Sequence, residues 1–545
     1  MFCYQCEQTS KGTGCSSFGV CGKDPETSAV QDLIFHAAKG VAIYLNRARQ
    51  FGLTDSGIET EVLEAIFLTI TDTNFDTNKL EKVLSKTIEL RTKAKGLFEA
   101  AAARIGRLAE IPEGPATFVF GSGISALYAQ ADDISIEERM HKQGEDLVGA
   151  QEFLAYGVKG TAAYAWHALR LGKEVPSFCS FLCEALDAIS DKAITIEKVM
   201  ALCIRCGEEN LKVMQQLDAG HTEKFGHPEP TDVRITPVKG KAILVSGHSL
   251  DDLESLLQNT CVNVYTHGEL LPANAYPLLK KYPHLIGNYG GAWQDQAREF
   301  DAFPGPIVVT TNCLQKPLAS YARRMFTTGP AGWPGVRHLD GKNWKDVIEA
   351  SVLSPGFVSE VPEKRIHIGY AHKALGELTD KMTSLIKSGE LKNLYLVGGC
   401  DGAKLGRSQY SDLVSAIPPN AMVLTFACGK YRFNKQDYGR VHDMPKLLDV
   451  GQCNDAYSLV RLLTTLSQKL GVDVGRLPVV PVLSWFEQKS IAYLLTLLFV
   501  GVRNIQLGPT LPAFFTPEVY GWLNKEYGLQ AVRPLDKGRV AAILT

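Results

Sequence analysis

Two patterns of apolar residues divide the chain into a helical first part and a second part in which strands and helices alternate. In the first part, apolar side chains recur at the spacing of one helical face; they are Val30, Leu33, Ile34, Ala37, Ala38, Val41 and Leu45. Asp24-Pro25 precedes them, and these residue types favour a helix cap and a first helical position. The pattern predicts a helical bundle over residues 26–220.

The second part carries short, nearly continuous apolar runs, which follow a Gly- and Pro-containing stretch that we interpret as a linker, 220–236. The runs are Ala242–Val245, Val262–Tyr265, Ile307–Thr310, Leu394–Val397, Met422–Phe426 and Val479–Leu483. Such runs alternating with helices are typical of parallel sheets. Because Pro355, Gly356 and Pro362 indicate a break, we predict a multidomain α plus α/β protein with α/β domains at 237–358 and 359–545.

Composition and charge narrow the functional classes. The chain has 545 residues and a formal net charge of −2, so no global field favours nucleic acid or an anionic membrane. The sequence Met1-Phe2-Cys3 lacks the features of a secretory leader, and the apolar run Ile491–Val502 is shorter than a membrane span and predicts a buried helix. We expect a cytoplasmic monomer that binds neither nucleic acid nor membrane.

Four of the 13 cysteines lie within the first 25 residues, in the spacing Cys-x2-Cys-x8-Cys-x5-Cys. They are Cys3, Cys6, Cys15 and Cys21. Four thiolates are what a [4Fe–4S] cluster needs, and nearby glycines allow the backbone to wrap closely around it. Structural zinc is the second interpretation, although zinc sites usually show a second tight Cys-x2-Cys pair. The third interpretation is four unrelated buried cysteines. We predict an iron–sulfur cluster in an N-terminal loop at 1–25.

Residues with metal-binding side chains follow the predicted strands. Open parallel sheets bind ligands beyond the carboxyl ends of their strands. The residues found there are His248, His267, Glu269, Cys313, Cys400, Cys428, Glu487 and Lys489, with Cys453 in a loop of the same half. Each alone has an ordinary structural explanation, but mixed Cys, His and Glu ligation suits iron in more than one environment. The pattern predicts a second, unusual metal cluster at the seam of the two α/β domains.

The remaining cysteines have a different setting. Cys203 and Cys206 form another Cys-x2-Cys pair, but they lie in a helical pattern without surrounding glycines. We interpret them, together with Cys179 and Cys183, as core residues.

Taken together, these segments resemble the hybrid-cluster protein family, also called the prismane family, over the whole length of the chain. The opening Phe2-Cys3-Tyr4-Gln5-Cys6-Glu7-Gln8-Thr9 is similar to that family's opening, and the cysteine spacing resembles its class from strict anaerobes, which carries [4Fe–4S]. The later segments that match in order are Gly247-His248, His267-Gly268-Glu269, Thr311-Asn312-Cys313, Gly398-Gly399-Cys400-Asp401-Gly402, Ala427-Cys428-Gly429-Lys430-Tyr431, Gln452-Cys453-Asn454-Asp455 and Trp485-Phe486-Glu487-Gln488-Lys489.

The resemblance implies two cofactors and a fold. It implies a helical domain followed by two Rossmann-like domains, and a hybrid [4Fe–2S–2O] cluster beside the [4Fe–4S] cluster. The implied hybrid-cluster ligands are His248, Glu269, Cys313, Cys400, Cys428, Cys453 and Glu487. In that family the cysteine that matches Cys400 can carry a persulfide, and Lys489 matches a lysine beside the cluster.

The implied activity is reduction of hydroxylamine to ammonia and water with two electrons and two protons. The [4Fe–4S] cluster would relay electrons from a donor protein, and His248, Glu269, Glu487 or Lys489 would deliver protons. The family also suggests reduction of nitric oxide to nitrous oxide at the same cluster. Chemistry like that of carbon monoxide dehydrogenase is disfavoured, because that relative needs nickel and more cysteines. Redox sensing or protein S-nitrosylation is the non-enzymatic alternative.

Overall fold

The helical first part occupies residues 25–225. The computed structural model describes residues 1–404 and 407–532, so residues 533–545 of the predicted last domain lie outside the described residues. The helices of the first part are α1 (Pro25–Gln50), α2 (Ser56–Phe67), α3 (Thr77–Arg104), α4 (Ile124–Asp133), α5 (Ile136–Gln143), α6 (Glu145–Arg170), α7 (Pro176–Ser190) and α8 (Ile196–Phe225). Asp24 caps α1 as predicted, because its side chain accepts a hydrogen bond from the Thr27 N–H at 2.7 Å.

The first parallel sheet follows the helices. Its strands are β2 (Ala242–Ser246), β3 (Asn263–Thr266), β4 (Leu285–Asn288), β5 (Ile307–Val309), β6 (Met325–Thr327) and β7 (Arg337–His338), in the order β4-β3-β2-β5-β6-β7. The accompanying helices are α9 (Leu250–Asn259), α10 (Pro277–Lys280), α11 (Gln296–Ala302) and α12 (Lys345–Leu353). Strand order therefore reverses direction between β2 and β5.

The second parallel sheet repeats this arrangement. Its strands are β9 (Asn393–Gly399), β10 (Ala421–Phe426), β13 (Leu447–Gly451), β14 (Val479–Ser484), β15 (Gln506–Gly508) and β16 (Gln530–Ala531), in the order β13-β10-β9-β14-β15-β16. Its helices are α13 (His372–Ser388), α14 (Gln409–Ala416), α15 (Tyr457–Leu470), α16 (Gln488–Phe499) and α17 (Pro517–Tyr527). Strand order reverses between β9 and β14, at the same point of the pattern as in the first sheet.

Two short antiparallel ribbons complete the strands. Strand β1 (Thr231–Arg234) pairs with β8 (Arg365–Ile368), and β11 (Arg440–Val441) pairs with β12 (Met444–Pro445). The interpretation of 220–236 as a linker is therefore wrong: this stretch holds the end of α8 and all of β1. The helix continues because Gly220, His221 and Phe225 are buried in the core.

The sequence predictions agree with the structure at the level of the mixed α/β fold. Each of the six predicted apolar runs overlaps a strand of one of the two parallel sheets, and the run that begins at Ile491 lies largely in α16. These strands are largely apolar because most of their residues are buried. Among the described residues, no helix combines the length and apolar character that a membrane span requires.

Two glycines allow α16 to pack closely against the helical part. A Cβ at Gly160 of α6 would lie 2.2 Å from the Gln488 carbonyl oxygen, and one at Gly207 of α8 would lie 2.1 Å from the Leu495 carbonyl oxygen. Thr496 of α16 donates its hydroxyl to the Gly207 carbonyl at 3.0 Å. Helix α16 begins directly after Glu487, so this contact sets where that carboxylate lies.

Replacement of Gly207 by alanine tests this close approach. We expect Gly207→Ala to destabilise the fold by about 1–3 kcal/mol, because the added methyl group forces two helix backbones apart. The measurement is the shift of the thermal unfolding midpoint relative to the wild-type chain under identical conditions. Gly96→Ala in α3 is the control: nothing lies within 4 Å of a Cβ there, and we expect it to raise the midpoint slightly. Equal midpoints for the two variants would contradict the packing argument.

Candidate metal centres

The four N-terminal cysteines share one compact loop. Cys3 and Cys15 form an antiparallel pair in which each backbone N–H donates to the carbonyl of the other, at 3.0 and 2.8 Å. Cys6, Cys15 and Cys21 are buried and Cys3 is partly buried. The Ser10 N–H points at the Cys15 Sγ at 3.4 Å. The predicted loop thus brings its four thiols together, and a backbone amide already faces one of the sulfurs.

Burial makes this thiol group costly to ionise on its own. Burial raises the pKa of Cys6 well above its ordinary value, and the neighbouring charges of Cys21 and Cys3 add to the shift. Burial also raises the pKa of Cys3 and Cys21, and the Lys23 ammonium opposes the shift at both. Four neighbouring thiolates, three of them buried, need a cationic centre, which fits an iron–sulfur cluster and leaves the zinc alternative to be tested by metal analysis.

The candidate ligands of the second centre all follow the carboxyl ends of strands. In the first sheet, His248 follows β2, Glu269 follows β3 and Cys313 follows β5; in the second, Cys400 follows β9, Cys428 follows β10, Cys453 follows β13 and Glu487 follows β14. His248 and Cys313 flank the reversal point of the first sheet, and Cys400 and Glu487 flank that of the second. In each sheet, the crevice at the reversal point is the usual place for a ligand. The crevices of the two sheets meet at one seam.

Glu269 joins the two sheets at this seam. Its Oε1 accepts a hydrogen bond from the Cys428 thiol at 3.3 Å, and its Oε2 accepts one from the Cys453 N–H at 2.8 Å. The same Oε2 lies 3.8 Å from His248 Nε2. One donor atom each from His248, Glu269 and Cys453 lie within 4.8 Å of one another. Nitrogen, oxygen and sulfur donors from both sheets thus converge on one point.

Three further thiols line the same point. The neighbouring Cys313 and Cys400 side chains, together with burial, raise the pKa of Cys428 well above its ordinary value. The neighbouring Cys428 side chain lowers the pKa of Cys313, but burial outweighs it and raises the pKa to about 11. Cys313 has a left-handed backbone with a φ of 69°. Such strain at a non-glycine residue persists where the surroundings fix it.

Lys489 keeps His248 in a state that can ligate a metal. The Lys489 Nζ donates to His248 Nε2 at 3.0 Å and to Asn312 Oδ1 at 3.2 Å. Burial and the Lys489 charge lower the pKa of His248 well below its ordinary value, so the imidazole is neutral. Because Nε2 accepts from Lys489, we infer that Nδ1 carries the proton and donates to Thr311 Oγ1, which lies 3.3 Å away. The Nε2 lone pair is the one a metal would use.

Glu487 supplies an unused oxygen. Its Oε2 accepts the Lys489 N–H at 2.9 Å, which caps α16, whereas its buried Oε1 has no hydrogen-bond partner among the described residues. Burial lowers the pKa of Lys489, but the charges of Cys453 and Glu487 outweigh burial and raise it above its ordinary value. A neutral imidazole, a buried free carboxylate oxygen and a group of thiols fit the donor set of a mixed iron cluster.

Several residues at this centre escaped the sequence analysis. Asp72, in the loop after α2, accepts the Cys313 N–H at 3.0 Å, and Asn312 donates to Thr73 Oγ1 at 2.9 Å. The His167 ring of α6 lies near the His248 ring, with centroids 6.3 Å apart and the planes tilted by 48°, and the buried His167 Nε2 has no partner among the described residues. The signal that could have revealed Asp72 is the polar run Thr71-Asp72-Thr73-Asn74 inside an otherwise apolar helical region. His267, which the strand-end pattern included, bonds instead to Glu299 at 3.0 Å.

The other helical cysteines lie away from both centres. Cys179, Cys183, Cys203 and Cys206 are buried in α7 and α8, and Cys206 lies 3.8 Å from the Thr161 hydroxyl. Their interpretation as core residues is confirmed. Cys261 is exposed.

Fold and sites together define a metalloprotein in which two parallel sheets and a helical part enclose buried thiol-rich centres. Residues 1–536 match the model of the Prismane/CO dehydrogenase family, and the chain belongs to that family.

Named relatives extend this finding. Hydroxylamine reductases of Acidithiobacillus ferrooxidans and Geobacter sulfurreducens are each 44% identical, over 97% and 100% of this chain and 96% and 99% of their own lengths. Among solved structures, the carbon monoxide dehydrogenase of Thermococcus sp. AM4 aligns with a TM-score of 0.56 and 17% identity, covering 100% of this chain and 89% of that one. Carbon monoxide dehydrogenase IV of Carboxydothermus hydrogenoformans aligns at 0.54 and 16%, over 97% and 89%. These two likenesses concern the fold alone.

Asp72 offers a test of the second centre's geometry. Burial and the nearby Glu487 charge raise the pKa of Asp72 well above its ordinary value, so asparagine mimics its neutral form. We expect Asp72→Ala to lower stability by about 1–3 kcal/mol, because the buried Cys313 N–H loses its acceptor, and to reduce the iron bound per chain. Asp72→Asn should retain both. Thermal unfolding and iron analysis check this; an asparagine variant as impaired as the alanine variant would argue against the assigned hydrogen bond.

Proposed function

We propose that this chain is a hydroxylamine reductase that acts at a hybrid [4Fe–2S–2O] cluster and receives electrons through a [4Fe–4S] cluster. The observation that carries the proposal is that seven buried donor side chains follow the carboxyl ends of strands in both parallel sheets, and that three of them, His248, Glu269 and Cys453, place donor atoms within 4.8 Å of one another. The names of the 44%-identical relatives support the reaction. The N-terminal loop, with its four thiols, supports the [4Fe–4S] cluster.

The residues that would hold each cluster are those the sequence singled out. Cys3, Cys6, Cys15 and Cys21 would hold the [4Fe–4S] cluster. The hybrid cluster would be held by His248, Glu269, Cys313, Cys400, Cys428, Cys453 and Glu487, with Cys400 as the candidate for a persulfide. Bound there, the hybrid cluster would supply electrons and an iron site open to a small molecule.

The reaction consumes two protons, and the chain places a proton donor, Lys489, at the seam. Hydroxylamine takes up two electrons and two protons, its N–O bond breaks, and ammonia and water leave. Lys489 holds its ammonium at the seam, fixed by Asn312 Oδ1 at 3.2 Å, and its raised pKa keeps it protonated. When His248 Nε2 is engaged as a ligand, the Lys489 Nζ is free to donate to the substrate instead. Glu487, Glu269 and His248 are further candidates for handling protons at this seam.

The walls of the seam favour a substrate of a few atoms. The lining of a small cavity includes Cys400, Cys453, Tyr164, Ser490 and Tyr493 together with several apolar side chains. The Ser490 and Tyr493 hydroxyls are buried and have no hydrogen-bond partner among the described residues. They can bond to a small polar molecule, which suits hydroxylamine or nitric oxide.

The domain division is part of the proposal. The strand orders of both sheets match the Rossmann pattern 3-2-1-4-5-6 when strands are counted within each sheet. This supports two Rossmann-like domains at 237–358 and 359–545 after a helical domain at 26–220. A redox donor protein, a cytoplasmic location and a monomeric state remain predictions.

Loss of single ligands tests the assignment of the second centre. We expect Cys428→Ala and Glu487→Ala each to abolish hydroxylamine turnover while leaving the EPR signal of the [4Fe–4S] cluster, because these residues lie only at the seam. Cys261→Ser, at an exposed cysteine, is the matched control and should keep full activity. Assays with hydroxylamine and nitric oxide side by side, under strict anaerobiosis, identify the substrate. Normal turnover in both alanine variants would refute the site.

Lys489 tests the source of protons. We expect Lys489→Met to lower kcat by about 10²–10⁴-fold, the usual contribution of a positioned acid, with iron content unchanged. Lys489→Arg keeps the charge but replaces the compact ammonium with a larger, planar guanidinium that does not place a proton at the same point, so it should be almost as slow. Recovery of kcat in the arginine variant would show that the charge, not the proton, is what matters.

A further inference from the structure

Two buried carboxylates stand directly beside candidate ligands of the two different centres. Glu7 follows Cys6 of the N-terminal loop, and Asp401 follows Cys400 of the second centre. Both side chains are 0% exposed. A buried carboxylate is stable only when it is paired, so the partner of these two groups determines how the loops sit relative to each other.

One guanidinium pairs with both carboxylates. Arg407 donates through Nη2 to Glu7 Oε1 at 2.8 Å and through Nη1 to Glu7 Oε2 at 3.2 Å. The same Nη1 donates to Asp401 Oδ1 at 2.8 Å. The Arg407 side chain is 4% exposed, so water screens this contact little. Cys6 and Cys400 are thereby linked through their sequence neighbours and a single side chain.

The backbone around Glu7 adds a second link to the same centre. The Glu7 N–H donates to the Phe486 carbonyl, which directly precedes Glu487, at 3.1 Å. Gln488, on the other side of Glu487, donates through Nε2 to Gln5 Oε1 at 3.1 Å. The N-terminal loop is therefore hydrogen-bonded on both sides of one candidate ligand and, through Arg407, to the neighbour of another.

The N-terminal loop and the segment after Cys400 also pack closely against each other. A Cβ at Gly402 would lie 2.0 Å from Glu7 Oε2 and 2.6 Å from Arg407 Nη1. Arg432 fixes the other side of the segment, donating to Asp401 Oδ2 at 2.8 Å and to the Gly402 carbonyl at 2.6 Å. Lys404 Nζ lies 3.5 Å from Glu7 Oε1, and its side chain is half-exposed. Without Arg407, this lysine would be the remaining ion-pair partner of the Glu7 carboxylate among the described residues.

We propose that Arg407 is a positioning residue that couples the two metal centres through Glu7 and Asp401. Loss of the N-terminal cluster then loosens the segment that carries Cys400, and a change at Cys400 reaches the N-terminal loop to the same extent, since coupling between two sites is reciprocal. This inference rests on the proposed function for the identity of the second centre, whereas the contact between the loops is independent of it.

The test is a double-mutant cycle on the full chain, purified anaerobically. Cys6→Ala removes the N-terminal cluster, and hydrogen exchange reports on the segment 396–402. We expect Cys6→Ala to speed exchange there at least about fivefold when Arg407 is present, the lower end of usual coupling, and less than about twofold in an Arg407→Met background. Where Cys6→Ala does not fold, Cys3→Ser, at the partly buried cysteine of the same loop, takes its place in the cycle.

The control variant is Arg432→Met. It removes two hydrogen bonds from the segment and speeds exchange by itself, but the effect of Cys6→Ala on top of it should persist, because Arg407 remains. In the same samples, the EPR signal of the second centre should shift on Cys6→Ala with Arg407 present and stay unchanged in Arg407→Met.

Equal effects of Cys6→Ala with and without Arg407 would overturn the proposal. A coupled Arg407→Met cycle together with an additive Arg432→Met cycle supports the proposal, because general loosening of the fold would couple both arginines alike; an additive Arg407→Met cycle overturns it. Iron analysis separates the two hypotheses: if the wild-type chain holds one cluster, the proposed function fails, and the exchange cycle alone then decides whether Arg407 couples the loops.

Discussion

The structure depends on one constraint: donor side chains from two parallel sheets are buried together at a single seam. Thiols, carboxylates and an imidazole at this density repel one another or remain unpaired unless a cation lies between them. Burial raises the pKa of Cys453 and lowers that of His248, and the neighbouring Cys313 and Cys400 side chains together with burial raise the pKa of Cys428. Lys489 is the one cation that the chain supplies inside this group of donors, among the described residues.

The helical part holds this seam in place. Helix α16 starts directly after Glu487 and packs on α6 and α8 through glycines that admit its backbone, so the position of a candidate ligand is fixed by helix packing. Asn210 of α8 also donates to the Thr496 hydroxyl of α16 at 2.8 Å. The N-terminal cysteine loop lies against the same helix start, because Gln5 accepts from Gln488. The packing of the helices therefore fixes the positions of the candidate metal ligands in this chain.

Much of the fold and the candidate ligands could be predicted from sequence because each depends on short-range pattern. Apolar runs marked the strands, and in parallel sheets the residue after a strand lies at the ligand-binding edge, so His248, Glu269 and Cys400 were found by position alone. The supporting residues could not be found in this way. Asp72 acts on a residue 241 positions away and Arg407 on one 400 positions away. Such pairs depend on how distant loops meet, which no local pattern encodes. The end of α8 was missed for a related reason, since His221 is buried by tertiary contacts.

Counting and typing the iron in the anaerobically purified chain tests the central claim most directly. Mössbauer and EPR spectroscopy, with iron, sulfide and zinc analysis, should find about eight iron atoms per chain in two distinct clusters, one of them a [4Fe–4S] cluster. The other should show irons with oxygen or nitrogen ligands besides sulfur. Stoichiometric zinc, or a single four-iron cluster with the seam free of iron, would contradict the account.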